Sequence, residues 1–115
     1  MKWNLFIDDI RNPSYIKNKF DITEWQVART VEEAIRLVDQ FDCFPSFISF
    51  DHDLGEGQPD AITLVHRMVE MDMLGMYEFP KDFAFNVHSA NPVGAKNITG
   101  LINGYLKFKR ANNEH

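Results

Sequence analysis

The chain has 115 residues, 44% of them hydrophobic, which suits one domain with one core and leaves nothing for a second. Its 12 basic residues against 17 acidic ones give a formal net charge of −5, which excludes a broad basic grip on extended nucleic acid but allows a small phosphorylated ligand at a local site. The single Cys43 rules out an internal disulfide and fits a cytoplasmic setting, no apolar run is long enough to span a membrane, and Met1-Lys2-Trp3-Asn4 shows no leader pattern.

Lys2 to Asp8 reads as a buried strand. The stretch from Ile10 to Glu24 begins with a turn signal, Arg11-Asn12-Pro13-Ser14, and is expected to be an irregular connection with one helical turn at most. A short second strand is predicted over Trp25–Arg29. Thr30-Val31-Glu32-Glu33 is a capping box in which the Thr30 hydroxyl takes the Glu33 amide and the Glu33 carboxylate reaches back. Val31, Ala34, Ile35 and Val38 then share one helical face. Pro45 closes the connection to a third strand at Ser46–Asp51, and Gly55 and Gly57 mark a loop. Pro59 suits the first position of a helix running to about Met73, with Ile62, Val65, Met68 and Val69 facing inward. A fourth strand is predicted over Asp82–Val87, followed by Asn91 as cap and Pro92 in the first turn of a last helix whose apolar face is Ile98, Leu101, Ile102 and Tyr105. The domain is expected to occupy residues 1–110, with 111–115 a flexible tail.

Strands alternating with helices imply a parallel sheet with helices on its faces. For a 2-1-3-4 strand order, ligands bind at the carboxyl ends of the strands, between the first and third. Asp8-Asp9 closes the first strand, Asp51-His52-Asp53 the third, and His88-Ser89 the fourth. The topology therefore gathers the four carboxylates of Asp8, Asp9, Asp51 and Asp53 and the imidazoles of His52 and His88 at one edge. Such crowding of charge destabilises a fold unless cations or protonated partners offset it.

These segments resemble the receiver domains of two-component signalling, and more closely a divergent branch, the cyclic-phosphate processing receiver-like domains. Leu5-Phe6-Ile7-Asp8-Asp9-Ile10-Arg11-Asn12-Pro13, Phe50-Asp51-His52-Asp53-Leu54-Gly55 and Val87-His88-Ser89-Ala90-Asn91-Pro92 carry the resemblance, specific as a set. It implies a three-layer α/β, flavodoxin-like fold with four parallel strands in order 2-1-3-4, and a role in processing cyclic nucleotides or cyclic phosphate ends of RNA. An ordinary receiver has a fifth strand ending in a phosphoryl-binding Lys, which is missing here and weakens the reading of Asp51 as a phospho-acceptor. The missing strand also leaves the fourth as an edge through which a second copy could pair.

Hard oxygen ligands at Asp8, Asp9 and Asp51, with Asp53 a fourth candidate, suit Mg²⁺ or Mn²⁺. Asp is also common after strands simply as a turn cap. His52 and His88, with Asp51 beside them, are the candidate catalytic residues, since an imidazole pair can supply one general base and one general acid. The bland alternative for each is a hydrogen-bonded loop His; His66 and His115 are expected to have no role. Arg11 could hold a phosphate bidentately or pair with Asp9 or Asp53. Ser89 and Asn91 lie where a helix N-terminus could receive a phosphate, although Asn91 also serves as a plain cap. The expected activity is hydrolysis of a cyclic phosphodiester; a binding module without chemistry and a phospho-accepting receiver are the alternatives.

Overall fold

The computed structural model describes residues 2–16 and 24–113. The strands are β1 (Asn4–Ile7), β2 (Gln26–Ala28), β3 (Phe47–Phe50) and β4 (Ala84–Val87), and the helices α1 (Val31–Phe41), α2 (Ala61–Met73) and α3 (Pro92–Asn113). All strand pairs are parallel, and the sheet order is β2-β1-β3-β4, as expected. The connection after β1 contains a short 3-10 turn at Pro13–Ile16; the remainder of the helical turn expected there, residues 17–23, lies outside the described residues.

Strand alternation divides the sheet into two chemically different faces. Leu5, Ile7, Ile48 and Phe50 join one cluster with Val31, Ala34 and Val38 of α1, Leu64, Val65 and Met68 of α2, and Ile98 and Ile102 of α3. All three α-helices thus cover the same face. The opposite face carries Phe6, Val27, Ser49 and Asn86, in register with one another. The third layer expected from the sequence falls on the connection between β1 and β2, part of which is not described.

Local chemistry sets the helix boundaries. Thr30 Oγ1 accepts from the Glu33 amide at 3.1 Å, but the Glu33 carboxylate takes the amide of Arg29, not that of Thr30, at 2.6 Å. This shifts the reciprocal half of the capping box by one residue. α1 stops at Asp42, whose left-handed φ of 58° ends the helical run. α2 begins at Ala61 with Asp60 as its N-cap, so Pro59 precedes the helix and is not its first residue. Leu64 is fully buried on α2, an inward position that the predicted face omitted; Ile62 and Val69 are only half-buried. α3 continues through Asn113, past the expected domain end at 110, because Lys-Phe-Lys-Arg-Ala is good helix material and Lys109 is anchored at 2.7 Å to the buried Asp72. Among the described residues, no helix is long and apolar enough to cross a membrane.

Candidate functional site

The polar residues of the sheet face opposite α1, α2 and α3 converge at the carboxyl ends of β1, β3 and β4. Asp8 is fully buried, and its Oδ1 accepts the amides of Ile10 and Arg11 at 3.0 and 2.8 Å. Its Oδ2 meets His88 Nε2 at 2.9 Å and lies 3.9 Å from the Arg11 guanidinium. The other nitrogen of His88, Nδ1, is 2.7 Å from Ser49 Oγ, and Ser49 in turn donates to Asn86 Oδ1 at 2.5 Å. Both ring nitrogens of His88 thus have a polar partner, Asp8 on one side and Ser49 on the other. The chain from Asn86 through Ser49 and His88 to Asp8 therefore fixes one carboxylate against one imidazole.

The consequences for ionisation differ between neighbours. Burial pushes the Asp8 carboxyl up, but the Arg11 and Ile10 amides and the His88 ring together hold it below the usual carboxylate range. Asp51 goes the other way: burial, then the negative charge of Asp8, raise it, and His88 and Arg11 only partly offset this. Among the described residues, no amide or side chain donates a hydrogen bond to Asp51. Carboxylate oxygens of Asp8, Asp9 and Asp51 lie within 4.8 Å of one another. This set of hard donors, one of them buried and under-compensated, fits a small divalent cation.

His52 does not join that triad. Its Nδ1 lies 3.1 Å from Asp53 Oδ1, and His52, Asp53 and Asp60 form a second cluster with ligand atoms within 4.8 Å. The His52 ring packs against the backbone of Gly94 in the first turn of α3, where a Cβ would come 2.7 Å from Nδ1. The two imidazoles expected to work as a pair therefore have unlike surroundings. The His88 side chain is 3% exposed with both nitrogens engaged, whereas that of His52 is 12% exposed and oriented by a carboxylate through Nδ1 alone.

Asn91 is a helix cap, its Oδ1 accepting the Gly94 amide at 2.9 Å, and its Nδ2 also approaches Asp53 Oδ2 at 3.4 Å. Ser89 Oγ accepts the Asn91 amide at 3.0 Å, which leaves the hydroxyl proton for another acceptor. The Arg11 guanidinium stands 3.9 Å from Asp8 Oδ2.

The strand order, the acidic triad and His88 at the end of β4 together reproduce the three segments singled out in the sequence. A family model, the cyclic-phosphate processing receiver domain, matches residues 3–104. The chain belongs to this family. Neither curated proteins nor solved structures give a match. Within this receiver domain, the matched span runs from β1 into the second half of α3 and takes in every candidate site residue.

Three contributors were not singled out in the sequence. Ser49 and Asn86 position His88, and their signal was a polar residue inside an otherwise apolar strand, on the same face as Asp51 and His88. Arg29, at the end of β2, donates to the backbone oxygens of Asp8, at 3.1 Å, and of Arg11, and to Asn12 Oδ1 at 2.6 Å. It thereby holds the loop that carries Asp8, Asp9 and Arg11. Nothing in its local sequence set it apart from an ordinary strand-end arginine.

Proposed function

We propose that this receiver domain binds and hydrolyses a cyclic phosphodiester, in a nucleotide or at an RNA end, in the cytoplasm. The observation that carries this reading is the convergence of Asp8, Asp9 and Asp51 oxygens within 4.8 Å, with Asp51 buried and given no hydrogen-bond donor among the described residues. Asp8, Asp9 and Asp51 would hold Mg²⁺ or Mn²⁺, with Asp53 at the rim. A divalent ion there supplies Lewis-acid polarisation of a phosphate oxygen and a more acidic water.

The chain's own residues take distinct parts. Arg11, a partly exposed guanidinium beside the triad, offers a fork to two phosphate oxygens. Ser89 retains its hydroxyl proton for a third. The Asp53 carboxylate orients His52 through Nδ1, which leaves Nε2 to move a proton to or from the ester oxygens. His88 is better suited to positioning than to proton transfer, because Asp8 and Ser49 hold both of its nitrogens. It keeps Asp8 ionised and fixed.

The test is to offer purified protein 2′,3′- and 3′,5′-cyclic nucleotides with Mg²⁺ or Mn²⁺, beside Asp51→Ala and His52→Ala. Metal-dependent ring opening that is lost in both variants is the expected result. Binding without turnover would replace this reading with a sequestering role. A stable acyl phosphate on Asp51 after exposure to acetyl phosphate would favour signalling instead. Absence of both metal uptake and nucleotide binding would end the proposal.

A further inference from the structure

The outer edge of β4 is open: among the described residues, β4 pairs only with β3. The amides of Ala84 and His88 donate to Ser46 and Phe50 across the β3 side, at 3.0 and 2.8 Å. Strand alternation then turns the N–H and C=O of Phe85 and Val87 away from the sheet. β4 holds no proline or lysine, the usual guards of a bare edge.

Charge along this edge is graded. At its amino end, Lys81, Lys109 and Arg110, with Phe79 and Phe83, line a cavity of about 420 Å³. Lys109 is committed to Asp72 and Glu78, and Lys2 to Asp82, which leaves Lys81 and Arg110 as the cations here without an ion pair among the described residues. At the carboxyl end stand Asp51, Asp53 and the rest of the acidic site. A strand with a basic start and an acidic finish is complementary to its own copy running antiparallel, the requirement of an isologous twofold contact.

We propose that two copies pair β4 to β4 in antiparallel fashion, forming one continuous sheet, and that each contributes Lys81 to the rim of the other's acidic site. The register follows from the outward groups. Phe85 exchanges both backbone hydrogen bonds with Val87 of the second copy, the twofold axis passes between the Asn86 residues, and the turn that carries Lys81 faces the end of the second copy's β4 from which Asn91 follows. Asn91 lies 3.4 Å from Asp53, so the ammonium of Lys81 approaches a carboxylate whose side chain is 64% exposed in the monomer. The pairing stands on the edge and its charges, whatever chemistry the site performs.

Sedimentation velocity over a concentration series tests it. The wild type is expected to dimerise. Val87→Pro removes an outward N–H and no β3–β4 bond, so it should be monomeric with its far-UV circular dichroism retained. Lys81→Asp should weaken association about tenfold, as should Asp53→Lys, and the double charge swap should restore it. A wild type that stays monomeric would leave the edge to a strand from a different protein and overturn the proposal. So would a dimer that persists in Val87→Pro, or a swap that fails to rescue.

Discussion

The His88 imidazole lies flat on the Phe6 ring, with centroids 4.7 Å apart and planes 7° from parallel. Phe6 is fully buried in β1, one of the two central strands of the sheet, so it gives the ring a rigid floor, and Asp8 and Ser49 fix its in-plane rotation from either side. An imidazole held on three sides in this way is part of the framework beneath the acidic triad.

Framework and chemistry should therefore separate by mutation. His88→Ala leaves the buried Asp8 carboxylate short of a donor and should cost about 2–4 kcal/mol of folding stability, read by urea unfolding. His52→Ala removes a partly exposed side chain, should cost under about 1 kcal/mol, and should lower turnover by about 10²–10⁴-fold. Equal stability losses in the two variants would show that the imidazoles are not divided in this way.

Asp51 should be a liability to the metal-free fold. Its folded pKa is raised by burial and by Asp8, so the folded state binds its proton more tightly than the unfolded chain does. The resulting penalty is absent below about pH 4, grows as pH climbs to the folded value, and is complete above it. Asp51→Asn should accordingly stabilise the metal-free protein at pH 7, raising its Tm, and should change nothing below about pH 4. Adding Mg²⁺ should raise the wild-type Tm and move that of the variant much less. Calorimetry in EDTA and in excess Mg²⁺ reads both effects, and a destabilised Asp51→Asn would contradict the argument.

A second buried carboxylate has the opposite sign. Asp72 on α2 accepts from the Phe79 amide at 2.8 Å, Tyr105 Oη at 2.7 Å and Lys109 Nζ at 2.7 Å, and so ties the loop before β4 to α3. Burial pushes its pKa up, but these three donors more than offset that and leave it below the ordinary value, while burial and the Asp72 contact push Tyr105 up to about 12. The stability contributed by Asp72 is thus complete above the unfolded carboxylate value and is lost as pH falls through the folded one. Lys109→Met should cost about 2–3 kcal/mol near neutrality, and Asp72→Asn should flatten the acid limb of a stability-versus-pH profile measured by chemical denaturation.

Much of this was legible in the chain, because strand and helix periods differ and because topology assigns strand ends to one edge. Val31, Ala34, Ile35 and Val38 are the buried face of α1 that their spacing predicted. Asp8, Asp9 and Asp51 meet as the 2-1-3-4 order requires. What escaped depends on side-chain direction. His52 and Asp51 are consecutive residues beyond the end of β3, and adjacent side chains leave a strand on opposite sides, so sequence proximity misled where alternation would have separated them. Asp72 was not singled out in the sequence, because its three donors come from Phe79, Tyr105 and Lys109, on segments that only tertiary packing brings together.

The contact between His52 and Gly94 allows the sharpest test of the second cluster. Replacing a helical glycine by alanine ordinarily stabilises by up to about 1 kcal/mol. At position 94 the added methyl would instead overlap the His52 ring at Cγ, Cδ2 and Nδ1, close to the backbone where the side chain has little room to swing. Gly94→Ala should therefore destabilise the wild type and break the bond from His52 to Asp53, but stabilise the protein in a His52→Ala background. The sign change in this double-mutant cycle, measured by denaturant unfolding, reports the contact directly. If Gly94→Ala has the same effect in both backgrounds, the imidazole does not rest on α3 in solution.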